Sequence, residues 1–358
     1  MLSSNGTVRG GYTLAEILSQ PEVWRSCLRS LSEDPGFIAT LKTAPRRKSW
    51  LFTGCGTSFY LAEAAAACWT VLTGQPARAI PCSEILLFPH LAQLGETDLQ
   101  AVIFSRSGST SEAVRAAEML RKKHGVATLG ITCAPGSELA KTCEATIAIP
   151  GADEKSMVMT RSFSSMLLTI VMLAAERAGN PTIRRAIEST AGQLSGRIGE
   201  WNTQIQKFVG ERAFEDYVYL AQGPFYPIAR EAALKVTEMS NSYAQPYHTL
   251  EFRHGPKSIV APQTCIAFLL SETGMQAESE VLMEMKELGG TIVAICNRAS
   301  ESVRKAADLL VELESETPEL TLLAPFVVPT QLLGYHTGVK KGLNPDEPKN
   351  LSRVVILD

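Results

Sequence analysis

The segment Phe104 to Thr110, Phe-Ser-Arg-Ser-Gly-Ser-Thr, places three serines, a threonine, an arginine and a glycine within seven positions. Hydroxyls and free backbone N–H groups at the start of a helix are what a phosphate group needs, and the helix dipole favours its negative charge. Gly108 lets the backbone come close to such a ligand. The same residues also suit an ordinary helix cap with turn-forming serines. A second segment, Gly54-Cys55-Gly56-Thr57-Ser58, sits at another strand-to-helix turn. It is not the dinucleotide pattern G-x-G-x-x-G, because Phe59 stands at the third glycine position, and it is not a P-loop. Together the two turns favour a phosphorylated small molecule over a nucleotide. No G-x-S-x-G surrounds a serine, so nucleophilic hydrolysis lacks its usual elbow.

Two further groups carry acid–base potential. In Ile-Ala-Arg-Glu-Ala-Ala-Leu-Lys-Val-Thr-Glu-Met-Ser, Glu231, Lys235 and Glu238 recur at i, i+4 and i+7, on one stripe of a helix. That stripe reads either as a solvated amphipathic face with an ion pair or as a carboxylate base and an ammonium facing a cleft. In Glu251-Phe-Arg-His-Gly-Pro-Lys257, His254 precedes a Gly-Pro turn and not an apolar run, unlike a core histidine. His124, in Arg-Lys-Lys-His-Gly, reads as a surface residue at a helix end.

Alternating strands and helices must position these side chains. SWLF, AVIFS, ATLGIT and ATIAI are short apolar or β-branched runs ending in turn residues, and helix-length patterns separate them. This order predicts an α/β fold with a parallel sheet covered by helices on both faces. The order then repeats: WLFTGCGTSFYLAEAAA is matched by YVYLAQGPFYPIAREAA, and TLGITCAPGSELAKTCEATIAI by IVAICNRASESVRKAADLLVEL. Self-similarity over this span predicts two copies of one α/β unit. The boundaries read as a helical lead over 1–44, kinked near Pro21, a first domain over 45–180 and a connecting helix over 181–210. A second domain covers 211–340, and a tail follows over 341–358.

Composition narrows the function classes. The chain has 358 residues, a formal charge of −3, 45% hydrophobic and 20% charged residues. It has no basic tract, so an electrostatic grip on nucleic acid or an anionic membrane is not expected. No apolar run is long enough for a transmembrane helix, and Met1–Thr13 lacks a secretory-signal profile. The eight cysteines are scattered, with no CxxC, HExxH or Cys/His cluster, so a zinc site is not expected and the cytoplasm is the natural compartment.

The set GCGTS, SRSGST, EAALKVTE, EFRHGP and DEPKNL, in this order, resembles the tandem sugar isomerase (SIS) family, as in the isomerase half of glucosamine-6-phosphate synthase. The resemblance covers roughly residues 45 to 358. YTLAEILSQPEVW, FRHGPKS and MTRSFSSM are similar to the galactosamine-6-phosphate deaminase/isomerases. The resemblance implies two SIS domains with flavodoxin-like sheets and an enzyme acting on a hexose or amino-hexose 6-phosphate. It places the Cys55-Gly56-Thr57-Ser58 turn, Ser105, Ser107 and Thr110 on the substrate. Ser58 and the three later hydroxyls match phosphate ligands, and Thr57 falls where the family contacts the sugar. Arg106 replaces the usual glutamine and is expected to add charge near the phosphate. Glu238 matches the carboxylate that moves a proton between C1 and C2, Lys235 the lysine that handles the oxygens, and Glu231 their support. His254 matches the ring-opening histidine, which in the family reaches the site from the neighbouring subunit, so a homodimer with shared sites is implied. No cofactor and no metal are implied.

Two departures shape the expectation. The family's glutamine-hydrolysing half, with its cysteine after the initiator, is not matched by Met1-Leu2, so ammonia would come from elsewhere, for example a separate subunit. Aligning the tail motif with Asp346–Leu351 sets Arg353 where the synthase has its Schiff-base lysine, and arginine cannot form an imine. The tail is expected to lie over the active site, with Arg353 among the substrate-binding residues. The expected activity is isomerisation with addition or removal of ammonia. The alternatives are a fructosamine-type 6-phosphate deglycase and a phosphosugar sensor without chemistry.

Overall fold

The computed structural model describes residues 9–92, 94–95 and 98–357; Met1–Val8, part of the segment searched for a secretory signal, lie outside the described residues. Among the described residues, ten strands form two five-stranded sheets. The first holds β1 (Ser49–Thr53), β2 (Ala77–Ala79), β3 (Leu99–Phe104), β4 (Ala127–Thr132) and β5 (Ala145–Ala148), in the order β2-β1-β3-β4-β5. The second holds β6 (Asp216–Ala221), β7 (Tyr243–His248), β8 (Thr264–Leu270), β9 (Thr291–Cys296) and β10 (Leu309–Glu312), in the order β10-β9-β8-β6-β7. Every pair is parallel, with Phe52 opposite Val102 in one sheet and Leu220 opposite Phe268 in the other. Counted from the first strand of each unit, both sheets have the order 2-1-3-4-5, so the α/β expectation and its duplication hold. β1, β3 and β8 are buried along their whole length, as strands covered on both faces must be.

The chain divides into two compact units. One comprises residues 20–154, 161–191 and 352–357; the other comprises 9–19, 155–160 and 192–351. In the first-sheet unit, the helices Thr57–Thr73 and Arg161–Arg177 pack on each other, and Trp69 lies 3.8 Å from the Trp50 ring. Trp24, on the helix Gln20–Leu31, donates to Ser164 Oγ at 2.8 Å. In the second-sheet unit, the helices Tyr226–Ser240 and Leu323–Lys340 make the most extensive helix contact. They approach so closely at Gly338 that a Cβ there would lie 2.1 Å from the Met239 carbonyl oxygen.

The helical lead is not one body. Its first helix, Gly11–Leu18, packs on Leu323–Lys340 in the second-sheet unit, whereas Gln20–Leu31 and Pro35–Thr43 pack in the first-sheet unit. The connecting segment is two helices, Pro181–Leu194 and Ile198–Gly210, not one. Gly192, Gly196 and Gly199 weaken helix propensity around that break. The tail is also divided, with residues up to 351 in the second-sheet unit and 352–357 in the other.

Long-range polar contacts fix the ends of the second-sheet unit. Gly10 caps the helix Gly11–Leu18 without a side chain of its own. The Asp346 carboxylate replaces it, accepting from Thr13 N–H at 2.7 Å, Thr13 Oγ1 at 2.8 Å and Tyr12 N–H at 3.3 Å. The Asp346 carbonyl accepts from Met157 N–H at 3.0 Å, and the buried Glu16 carboxylate accepts from Ser156 N–H at 3.4 Å and from its hydroxyl. Asp346 therefore acts as the missing helix cap. Asp346→Ala is expected to cost about 0.5–2 kcal/mol, read as a lower urea midpoint at unchanged slope; an unchanged midpoint would refute that role.

Candidate active site

The turns after β1 and β3 leave the carboxyl ends of neighbouring strands, at the point where a 2-1-3-4-5 sheet reverses its winding and α/β folds bind ligands. After β3, Ser105 is buried and its N–H continues the ladder to Ile131 O at 3.1 Å. Gly108 then takes φ +62°, and a Cβ on it would lie 2.0 Å from Ser137 Oγ, so this turn needs glycine. Its N–H donates to Ser105 Oγ at 3.1 Å, and Ser109 N–H donates to Ser107 Oγ at 3.2 Å. Thr110 begins the helix Ser111–Glu118 without using its hydroxyl as a cap. Ser107 and Thr110 are half-buried. After β1, Gly56 precedes the helix Thr57–Thr73, whose first residues, Thr57 and Ser58, are buried. Cys55 is half-buried beside Cys82. The Ser105 and Ser107 hydroxyls thus hold the turn itself, and Thr110 at the helix start does not serve as a side-chain cap.

Arg106 departs from expectation. Its guanidinium is buried and donates to Glu154 Oε2 at 3.0 Å, while the Glu154 carboxylate also accepts from Ser162 N–H at 3.1 Å and Ser162 Oγ at 2.6 Å. The charge expected to add to a phosphate site is therefore balanced by an acid. Arg106 anchors the turn instead: its carbonyl accepts from Cys133 N–H and Thr132 Oγ1, each at 3.1 Å. Arg353 is engaged similarly, pairing with Asp153 at 2.6 Å and donating to the Glu154 carbonyl. Beyond it, Val355 O accepts from Ser111 N–H at 3.2 Å and Leu357 N–H donates to Ser111 Oγ at 3.0 Å. The end of the tail thus lies on the start of the helix that follows the hydroxyl turn.

In the second-sheet unit, the stripe on Tyr226–Ser240 is not a solvated face. Glu231 and Lys235 side chains are 0% exposed and Glu238 is 16% exposed. Lys235 Nζ lies 3.3 Å from Glu231 Oε1 and donates to Glu238 Oε2. Burial alone would lower the Lys235 pKa, but the two carboxylates outweigh it and hold the ammonium above its ordinary range. The cluster sets two acids against one base, and Glu238 is its solvent-reached member. The carboxyl end of β7 adds His248, whose ring stacks on Tyr226 at 3.7 Å and which burial pushes below its ordinary pKa.

His254 is not among these groups. It ends the 3-10 turn Glu251–His254, which is held by buried Phe252 and by Arg253 donating twice to Glu284, at 3.0 and 2.7 Å. Its own ring is exposed and makes no hydrogen bond, ion pair or ring contact among the described residues. Glu154 and His248 escaped the sequence reading, and Asp346 entered it only as part of the tail motif, because the contacts of each are with residues far along the chain. Among the described residues, no group of histidines, cysteines and acids could hold a metal ion, and no helix is long and apolar enough to cross a membrane.

Comparison with known proteins matches this architecture. The chain is 27% identical over 365 residues to a glutamine–fructose-6-phosphate aminotransferase (isomerizing) from Methanothermobacter thermautotrophicus, covering 99% of this chain but 60% of that protein. It thus spans about 60% of the length of such curated relatives. The crystal structure of a glucosamine-6-phosphate deaminase from Thermotoga maritima superposes with TM-score 0.77 at 29% identity, over 97% of this chain and all of that one. A tagatose-6-phosphate ketose/aldose isomerase from Escherichia coli shares the fold, with TM-score 0.84 at 24% identity, over 100% and 98% of the two chains. The family model for the SIS domain matches residues 46–176 and 216–337, so the chain belongs to the SIS domain family and carries the domain twice.

Proposed function

We propose that this chain is an enzyme that interconverts aldose and ketose forms of a hexose or amino-hexose 6-phosphate, with ammonia added or removed where the sugar carries nitrogen. The hydroxyls of Ser58, Ser105, Ser107 and Thr110 and the N–H groups of their turns take the phosphate, and Thr57 contacts the sugar. Glu238 takes the proton from C2, the electrons form an enediolate with O1, and Glu238 returns the proton to C1 as the second hydroxyl becomes the ketone. The Lys235 ammonium stabilises the developing oxyanion, and Glu231 holds Lys235 in place. With an amine at C2, the same proton shift leaves a ketimine, which water hydrolyses to ketose and ammonia. These are proton transfers that side chains carry out, so the proposed route uses no cofactor. Its natural setting is the cytoplasm.

The observation that carries this reading is the buried Glu231–Lys235–Glu238 cluster. A buried ion triad is a poor source of stability, since apolar residues of similar volume often serve as well. An acid that pairs with a buried ammonium, yet reaches solvent, is suited to general-base work. The relatives' names, a deaminase and an isomerizing aminotransferase, agree with it. Arg353 supports one second reading: it stands where the synthase has its imine-forming lysine and cannot form an imine, which a substrate already carrying its own amine tolerates, as for a fructosamine-type 6-phosphate deglycase. Assaying ammonia and ketose release from an amino-hexose 6-phosphate, and free amine and aldose release from a fructosamine 6-phosphate, separates the two.

The roles are separable kinetically. Glu238→Gln is expected to lower kcat by about 10²–10⁴ while leaving phosphosugar binding within a few-fold. Thr110→Val is expected to raise KM about tenfold or more and to leave kcat nearly intact, since it removes a hydrogen bond to a charged group. The reverse pattern, kcat lost at Thr110 or KM alone changed at Glu238, would contradict the assignment.

The exposed His254, unpartnered within its own chain, fits a homodimer in which it opens the sugar ring at the neighbouring copy's site. Mixing Glu238→Gln and His254→Ala subunits, each inactive alone on ring-closed substrate, is then expected to recover about a quarter of wild-type activity, because half the dimers are mixed and each restores one of two sites. Mixtures no more active than their parents would rule out shared sites.

A further inference from the structure

The second sheet has its own copy of the turn that follows β3. Ser105-Arg-Ser-Gly-Ser-Thr-Ser-Glu112 and Ser271-Glu-Thr-Gly-Met-Gln-Ala-Glu278 agree at the first, fourth and eighth positions and keep a hydroxyl at the third. Each follows the third strand of its sheet, β3 or β8, and each leads into a helix, Ser111–Glu118 or Met275–Glu287. In each the glycine N–H donates to the first serine's Oγ, at 3.1 Å in one copy and 2.8 Å in the other. Gly274 has an ordinary negative φ, but a Cβ on it would lie 2.2 Å from Glu278 Oε1, so glycine is kept there for space.

The copies differ in what occupies them. Ser109, Thr110 and Ser111 become Met275, Gln276 and Ala277, and Arg106 becomes Glu272. Into this altered turn comes the carboxylate of Glu319, the first residue of the 3-10 turn Glu319–Leu322. Glu319 Oε1 accepts from Glu272 N–H and from Thr273 N–H at 3.4 Å, and Oε2 accepts from Thr273 Oγ1 at 2.8 Å. Two consecutive backbone N–H groups and a hydroxyl on one oxyanion form the donor set of an anion-binding nest. Beneath the turn, Glu278 is wholly buried, burial pushes its carboxyl up to about 7, and its Oε2 has no hydrogen-bond partner. Glu272 and Glu278 both stand against a doubly charged ligand here. A singly charged carboxylate on a short tether suits this turn better than a free phosphate.

We propose that the Ser271–Glu278 turn is a second anion cradle whose ligand is the chain's own Glu319 carboxylate, which leaves each chain one cradle open to phosphosugar. The open cradle rests on the function proposed above; the occupancy of the second by Glu319 does not. Removing the tethered carboxylate should therefore create a site that a small free carboxylate can fill. Glu319→Ala is expected to unfold about 2–4 °C below the wild type, the shift a lost charge-assisted contact gives in units of this size. Glu319→Gln, which keeps one acceptor oxygen, should fall between them. Sodium formate, compared with sodium chloride at the same ionic strength, should raise the Glu319→Ala midpoint at least twice as much as the wild-type midpoint. Adding Thr273→Ala should remove that excess. Equal formate increments in Glu319→Ala and wild type, or unchanged midpoints in both Glu319 variants, would overturn the proposal. Calorimetric titration of the wild type with fructose 6-phosphate tells the two readings apart. One site per chain supports both, two sites overturn the closure of the second cradle, and none overturns the first-cradle reading while leaving the formate result to decide this one.

Discussion

The helix Tyr226–Ser240 carries an ammonium, Lys235, that is fully out of water and survives as a cation because carboxylates one turn away on either side balance it. Neither Glu231 nor Lys235 could stand in that position alone, since an isolated buried charge would shift its pKa and neutralise. The helix must therefore be held tightly enough that the three side chains keep their register. The close crossing by Leu323–Lys340, with only hydrogen at Gly338 against the Met239 carbonyl, supplies that rigidity. A charge cluster on a rigid, buried helix loses little to reorganisation when a proton moves.

The duplication gives one architecture two different sets of side chains. Both sheets share the 2-1-3-4-5 order, and both place a Ser-x-Ser/Thr-Gly turn at the carboxyl end of the third strand. In the first copy the turn is rich in hydroxyls and its arginine is neutralised by Glu154, leaving hydroxyls and backbone dipoles as the anion-directed groups. In the second copy three of those hydroxyls give way to Met275, Gln276 and Ala277, and Glu272 stands where the first copy has Arg106. The buried Glu231–Lys235–Glu238 cluster belongs to the unit whose own turn after its third strand holds the Glu319 carboxylate.

Much of this was legible in the chain. Apolar runs with turn punctuation marked β1, β3, β4 and β5, and the internal echo marked the duplication. Gly108 and its neighbouring serines marked the first turn. The i, i+4, i+7 spacing of Glu231, Lys235 and Glu238 put them on one face but could not say whether that face met water. That depended on a helix about a hundred residues later, and the spacing of a solvated ion pair is identical. Arg106 read as a free cation because its partner Glu154 is 48 residues away. Asp346, capping a helix 333 residues earlier, had no local signal at all. The long connecting segment read as one helix because its polar pattern continues across glycines that interrupt the backbone. The second turn did leave a trace, the repeated Ser-x-Ser/Thr-Gly-x-x-x-Glu, but its lost hydroxyls hid the kinship.

The proposed proton shuttle by Glu238 between carbons of a phosphosugar has an isotopic signature. Isomerisation of glucose 6-phosphate or fructose 6-phosphate, or deamination of glucosamine 6-phosphate, can be run in deuterium oxide and followed by proton NMR. A carboxylate that picks up the proton can exchange it with solvent before returning it, so deuterium should appear at C1 or C2 in a measurable share of product. Product that retains its carbon-bound hydrogen completely over many turnovers, as a direct hydride shift would leave it, would contradict the account.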